Sequence, residues 1–194
     1  MDCPLAVVPS RIRHAARAAA EPSARTMSDN VTTDRSDFDA VIAAADYPVF
    51  VVTTRADGRQ AGCLVGFTSQ VSIEPPRFLV GISKTNFTFG VAMAAEHLAV
   101  HLLGREQSSL AALFGAETGD DINKFAHCKW HPGPAEVPIL SAAAGWFTGR
   151  ILERHDLGDH VGMLIEPEAA SPPPAHTDAL RYNAVARLKP GHTA

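Results

Sequence analysis

The chain of 194 residues has little cysteine, no long apolar run and no basic block in its body, and each shortage removes a class of function. Cys3, Cys63 and Cys128 are widely spaced with no CxxC pair, so neither a zinc site nor a disulfide framework is indicated. A reducing cytoplasm is the simplest compartment. No apolar run reaches the roughly 18 residues that a membrane-spanning helix needs. A formal net charge of −4, without a lysine/arginine cluster beyond the N-terminal stretch, argues against nucleic acid or an anionic membrane as the main partner. Internal repeats are absent, and no nucleophile, base and acid fall into a triad pattern.

The N-terminal 26 residues differ from the rest. Arg11, Arg13, Arg17 and Arg25 sit among alanines, but no continuous apolar stretch of a secretory signal follows them. Met27 opens a conventional polar lead and marks an alternative start. Residues 1–33 are therefore expected to be a disordered or non-native extension. Residues 34–190 are expected to form a single domain, since a hydrophobic content of 46% suffices for one real core.

What the body of the chain does have is strand chemistry. The stretch 48–76 organises it: Val49, Phe50, Val51 and Val52 form a β-branched and aromatic run, Asp57-Gly58 supplies a tight turn, and Ala61 to Val65 return. The second strand runs into Gly66, Phe67, Thr68, Ser69 and Gln70, read as a loop whose backbone can approach a flat polar ligand. Upstream, Phe38, Val41, Ile42 and Ala45 recur at helical spacing, and this helix is expected to cover one end of a barrel.

Downstream, residues 78–82 read as a strand, 87–95 as a helix, 97–103 as a strand, and 107–114 as a helix closed by Gly115. Residues 119–138, with Phe125, Trp130 and several prolines, read as a helical turn and a long loop, a candidate lid. Trp146, Thr148, Arg150 and Leu152 mark one face of a long strand, Gly158-Asp159-His160 a turn, and 161–165 its return. A last short strand is expected near 180–182. The fold class that follows is mainly β with inserted helices, a closed or nearly closed antiparallel barrel. Its strands look apolar on both faces, which calls for cover by helices or a second subunit, hence a homodimer.

The order of these motifs resembles the flavin reductase-like proteins: PVFVVTT, DGR, QVS, PP, SKTNFT, LAVHLL, QSSLAALFG, NKF and GDH, over roughly 47–182. The resemblance implies an FMN-binding split β-barrel, typically a homodimer. It also implies that the flavin ring lies against Gly66, Phe67, Thr68 and Ser69, with Thr53 and Thr54 flanking it. Ser83, Lys84, Thr85, Asn86 and Thr88 would hold the FMN phosphate. Here elementary chemistry agrees, because a cation, hydroxyl donors and a helix N-terminus at one place make an anion site. His160 matches the family's histidine near flavin and nicotinamide and is the candidate catalytic residue; no metal is implied. Many relatives carry a hydroxyl or amide side chain where this chain has Leu64, Gly66 and Phe67, which leaves backbone groups and Thr68 or Ser69 to contact the ring.

Each candidate also has a plainer reading. Thr53 and Thr54 are good strand residues, Lys84 and Asn86 suit a solvated loop, and Gly158-Asp159-His160 suits a turn in which Asp159 bonds backbone. His97 and His101 share a strand face only as distant neighbours and read as structural. The expected function is an FMN-dependent oxidoreductase of the NAD(P)H:flavin reductase type. Hydride from NADH or NADPH goes to flavin N5 and on to free flavin, a partner monooxygenase or a small acceptor. The alternatives are a flavin-binding carrier or sensor, or a split-barrel enzyme using deazaflavin or haem.

Overall fold

The computed structural model describes residues 35–191, so the expected extension 1–33 lies outside the described residues. Nine strands and four α-helices follow one another among the described residues. Helix α1 (Arg35–Ala45) precedes the hairpin of β1 (Phe50–Ala56) and β2 (Arg59–Val65). Asp57 and Gly58 both take positive φ, +50° and +75°, which is the left-handed pair a two-residue hairpin turn needs. The chain continues through β3 (Thr68–Ser72), β4 (Arg77–Ser83), α2 (Phe87–Ala94), β5 (His97–Leu102) and α3 (Ser108–Ala116). Then come the short strands β6 (Trp130–Pro132) and β7 (Pro138–Leu140), the long hairpin of β8 (Gly145–Asp156) and β9 (His160–Ser171), and α4 (Tyr182–Val185).

Seven strands form one antiparallel sheet in the order β2-β1-β5-β8-β9-β4-β3. Its two edge strands, β2 and β3, are consecutive in the chain and separated only by Gly66 and Phe67. A two-residue link spans about 10 Å at most, far less than the width of a flat seven-stranded sheet, so the edges must meet and the sheet must roll into a barrel. Val52, Val65, Val80, Ile82, Leu98 and Met163 pack inside it, and Ala92 and Ala95 of the α2 region plug the same core. A second core lies on the outer face, where Val49, Val51 and Leu103 meet Leu110 and Phe114 of α3, Phe125, and Leu180. This explains why the strands read as apolar on both faces.

Several expectations change in three dimensions. Helix α1 covers nothing within the described residues: it buries no residue, and Phe38, Val41 and Ile42 are exposed. Residues 68–72 are strand rather than loop. Gly115 does not end α3 but sits inside it, where its bare Cα admits Leu64; a Cβ there would lie 2.9 Å from the Leu64 Cδ2. The long strand does not keep one face, because register shifts at Thr148/Gly149 and Ile151/Glu153 break the alternation; Thr148 ends up buried and Arg150 exposed. Residues 180–182 form no strand. Isolated bridges Pro48↔Arg181 and Gly104↔Ala179 hold this stretch, and the backbone then turns into α4.

The aromatic pair of segment 119–138 packs as core, while residues 119–125 border a cavity with Gly58–Gly62 and Phe87. Phe125 is buried edge-on between Phe114 (5.7 Å) and Trp130 (5.8 Å). Lys124, buried beneath it, donates from Nζ to the carbonyls of Gly62 and Phe114, both at 3.2 Å. The Phe114 carbonyl belongs to the last turn of α3, which lacks intrahelical partners, so a cation there caps the helix. Desolvation pushes the Lys124 amine below its ordinary value.

The β6–β7 hairpin is latched to the barrel wall by buried polar groups. The Thr53 hydroxyl donates to the carbonyl of Pro138, and His101 bridges β1 to β7. Its Nδ1 lies 3.0 Å from the Val51 carbonyl, and its Nε2 accepts from the Leu140 N–H at 3.1 Å, which fixes the neutral tautomer. Burial without a counter-charge lowers the His101 pKa from 6.5 to about 4. The unfolded chain therefore binds a proton near pH 6.5 that the folded chain refuses until about pH 4. Stability present above pH 6.5 is lost as pH falls through that window, by up to about 3 kcal/mol from this group. Urea unfolding at a series of pH values should show this slope, and His101→Gln should flatten it while costing about 2 kcal/mol at pH 7.

Candidate functional site

Two cavities lie at the junction of the two sheet edges, and another, of about 390 Å³, lies between the start of β2 and residues 119–125. Gly66 and Phe67 leave the barrel edge in a tight turn, with Thr68 N–H donating to the Gly66 carbonyl at 3.0 Å and Gly81 N–H to the Phe67 carbonyl at 2.7 Å. Gly81 is required for this close approach. A Cβ there would lie 3.0 Å from the Phe67 Cβ and 3.3 Å from its carbonyl oxygen. The Phe67 side chain is consequently pushed outward, 57% exposed, and meets the His160 ring edge-on at 4.9 Å.

Two cavities flank this aromatic pair. One, of about 420 Å³, is lined by Gly66, Phe67, Ser83, Asn86 and His160 on one side and by Tyr47 and Tyr182 on another. The second, of about 320 Å³, is lined by Phe67, Thr68, Ser69, Gly81 and His160. Together they make a cleft of mixed character, with apolar and aromatic walls and a few polar groups, as ligand sites generally are.

The loop Ser83 to Asn86 borders the larger cavity. Ser83 pairs with His160 in the β4–β9 ladder, which places the loop and the histidine side by side. The Ser83 and Thr85 hydroxyls are 3.0 Å apart. Asn86 caps α2, its Oδ1 accepting from Thr88 N–H at 2.9 Å, because asparagine satisfies an orphan donor at a helix start. Lys84 Nζ donates to both carboxylate oxygens of Asp156, at 2.8 and 2.9 Å, and its backbone N–H donates to the Asp159 carbonyl. His160 Nδ1 donates to Asp159 Oδ1 at 2.8 Å, and this bond holds the Asp159 carboxyl below the usual carboxylate range.

Of the residues singled out from sequence, Gly66, Phe67, Thr68, Ser69, Ser83, Asn86 and His160 come together at this cleft, with Lys84 and Thr85 on its bordering loop. Three do not. Thr53 and Thr54 are fully buried, their hydroxyls spent on the carbonyls of Pro138 and His97, so the plainer reading as strand residues is the correct one. Thr88 is fully buried inside α2 as well. Thr68 is placed at the cleft, but its N–H is already engaged by Gly66.

Sequence reasoning passed over Tyr47 and Tyr182, whose rings stack 5.1 Å apart and form a cavity wall. Nothing local ties Tyr47 to a residue 135 positions away. The link is the Pro48↔Arg181 bridge, together with Tyr182 N–H donating to the Tyr47 carbonyl at 2.9 Å. Cys63 borders the same cavity, but burial raises its thiol to about 11, so it stays protonated and inert near neutral pH.

Gly81→Ala should therefore cost about 1–3 kcal/mol, because Phe67 must give way and the Gly81–Phe67 hydrogen bond must stretch. Gly90 in α2 has nothing within 4 Å of an added Cβ, so Gly90→Ala should be neutral or stabilising. Denaturant unfolding of the two variants side by side checks the contrast.

Comparison with known proteins fits this geometry. A family model described as flavin reductase like domain matches residues 42–186. The stachydrine N-demethylase reductase subunit of Rhizobium meliloti is 33% identical over 117 residues, covering 58% of this chain and 50% of that protein. An FMN reductase (NADH) RutF of Methylorubrum extorquens is 33% identical over 137 residues, covering 70% of this chain and 65% of its own length. The chain thus spans half to two thirds of the length of these two relatives. Among solved structures, the FMN-binding protein of Thermus thermophilus with bound 1-cyclohex-2-enone superposes with a TM-score of 0.64 at 25% identity, over 75% of this chain and 77% of that one. By the extent of the family match, from the end of α1 past the close of α4, this chain belongs to the flavin reductase-like domain family.

Proposed function

We propose that this chain is an FMN-dependent flavin reductase that takes reducing equivalents from NADH or NADPH. It then supplies reduced flavin to a partner monooxygenase or a small acceptor. The observation that carries this reading is the single cleft in which the Gly66–Phe67 turn, the Ser83–Asn86 loop and His160 converge. The residues fit the cofactor. The absence of a side chain at Gly66 and Gly81 lets Tyr47 and Phe67 pack close to form the cleft walls, and Ser83, Lys84, Thr85 and Asn86 at the start of α2 supply a cation, hydroxyls and a helix N-terminus for a phosphate.

When bound, FMN supplies the redox chemistry by accepting hydride from nicotinamide and passing electrons on. The chain's own residues bind and orient. Thr68 and Ser69, at the start of edge strand β3, line the cleft where they could meet the ring's polar edge. Phe67 and His160, which meet edge-on between the two cavities, would offer aromatic contact to a ring held there. One relative is named as an FMN reductase using NADH and another as the reductase component of a flavin-dependent monooxygenase, which supports the donor and a partner monooxygenase.

A homodimer is part of the same proposal. The exposed stripe Phe38, Val41 and Ile42 of α1, with Ile73 at 83% exposure, suits cover by a second copy. Residues 34–190 act in it as one domain. No helix among the described residues is long and apolar enough to cross a membrane, and the free thiols Cys63 and Cys128 suit a reducing cytoplasm.

The test is anaerobic absorbance of the protein with FMN, before and after NADH and then NADPH. Binding of FMN followed by rapid bleaching is expected. Binding without bleaching by either nucleotide would replace the reductase with a carrier, and absence of binding would sink the site assignment.

A further inference from the structure

Strand β9 stays paired to β4 as far as Ser83↔His160, so the tip of the β8–β9 hairpin lies beside the Ser83–Asn86 loop. Lys84 N–H bonds the Asp159 carbonyl at 3.0 Å, and the Lys84 ammonium is held by both oxygens of Asp156 at 2.8 and 2.9 Å. Asp156 Oδ1 also accepts from Gly158 N–H at 3.0 Å, so the hairpin tip aims the carboxylate. Lys84 is the sole lysine or arginine between residues 83 and 88. A phosphate dianion arriving at this loop meets a cation already neutralised, with the Asp159 carboxylate also near, bonded to His160. A neutral ligand with the same ring is indifferent to both carboxylates.

We infer that Asp156 is a specificity-determining residue that competes with the flavin phosphate for Lys84, so that flavin is held chiefly by its ring. The inference rests on the flavin reading above. Its consequence is that the 5′-phosphate adds little to affinity, and flavin exchanges readily between turnovers. That suits a reductase whose reduced flavin leaves for another protein. Both charges are partly solvated, the Lys84 side chain at 36% and Asp156 at 73% exposure, so the competition is modest and sensitive to salt.

The experiment compares FMN with riboflavin, which lacks the phosphate, by fluorescence titration of the wild-type protein and of Asp156→Asn. Asparagine keeps the volume and an oxygen that accepts from Gly158 N–H but removes the charge. For the wild type, the two affinities should agree within about threefold, because an engaged exposed lysine contributes little. In Asp156→Asn, FMN should bind about three- to tenfold more tightly at low salt, through slower release, with the gain shrinking in 0.5 M salt (about a 4 Å Debye length). Riboflavin affinity should not move, and it reports at the same time that the variant is folded. If FMN affinity is unchanged or weaker in Asp156→Asn while riboflavin binds both proteins, Asp156 positions Lys84 or merely braces the hairpin, and the competition is overturned. If neither flavin binds either protein, the flavin reading itself falls, and this inference with it.

Discussion

The structure depends on one short covalent link. Val65 ends one edge of the seven-stranded sheet, Thr68 begins the other, and only Gly66 and Phe67 lie between them. No flat sheet can satisfy that distance, so the sheet curls until its edges meet, and the interior core of Val52, Val80, Ile82 and Met163 forms inside the curl. The same link leaves a backbone turn and an exposed phenylalanine at the seam. The cleft is thus a by-product of closure, and its position could not be moved without reopening the barrel.

Closing the barrel creates a second problem, an outer face that is still apolar. The chain solves it with α3, the segment 119–140 and the 178–185 stretch, and ties them down with buried polar groups rather than with grease alone. Thr53, His101 and Lys124 each satisfy backbone carbonyls or an N–H that would otherwise be stranded away from water. Buried groups of this kind specify where a layer sits as much as how firmly it is held, because a shifted register leaves them unpaired.

Around the cleft the chemistry is soft, with no strongly activated nucleophile. Cys63 is held as a thiol, His160 is engaged by Asp159, and Lys84 by Asp156. An arrangement like this binds and orients; it leaves bond-making to whatever redox group it holds. The Lys84–Asp156 ion pair and the His160–Asp159 hydrogen bond at one hairpin tip also mean that the electrostatics of the cleft are set from the β8–β9 turn, some 70 residues after the loop that carries the lysine.

Local pattern determined a good deal. The Asp57-Gly58 hairpin, the strands around 78–82, 97–103 and 161–165, the α2 start at Asn86 and the Gly158-Asp159-His160 turn all arise from neighbouring residues and were legible as such. So was the membership implied by the collinear motifs, and with it most of the cleft. What the tertiary structure alone decided is which face of each strand meets which layer. Thr53 and Thr54 have the chemistry of ligand contacts, but pairing to Pro138 and His97 spends them; Phe125 and Trp130 have the context of a lid, but the outer core claims them. Tyr47 and Tyr182, and Lys84 and Asp156, meet only because distant strands align. Hydrogen-bond propensity and periodicity are local properties, whereas burial and partnership are fixed by contacts across the chain, and no local pattern encodes those.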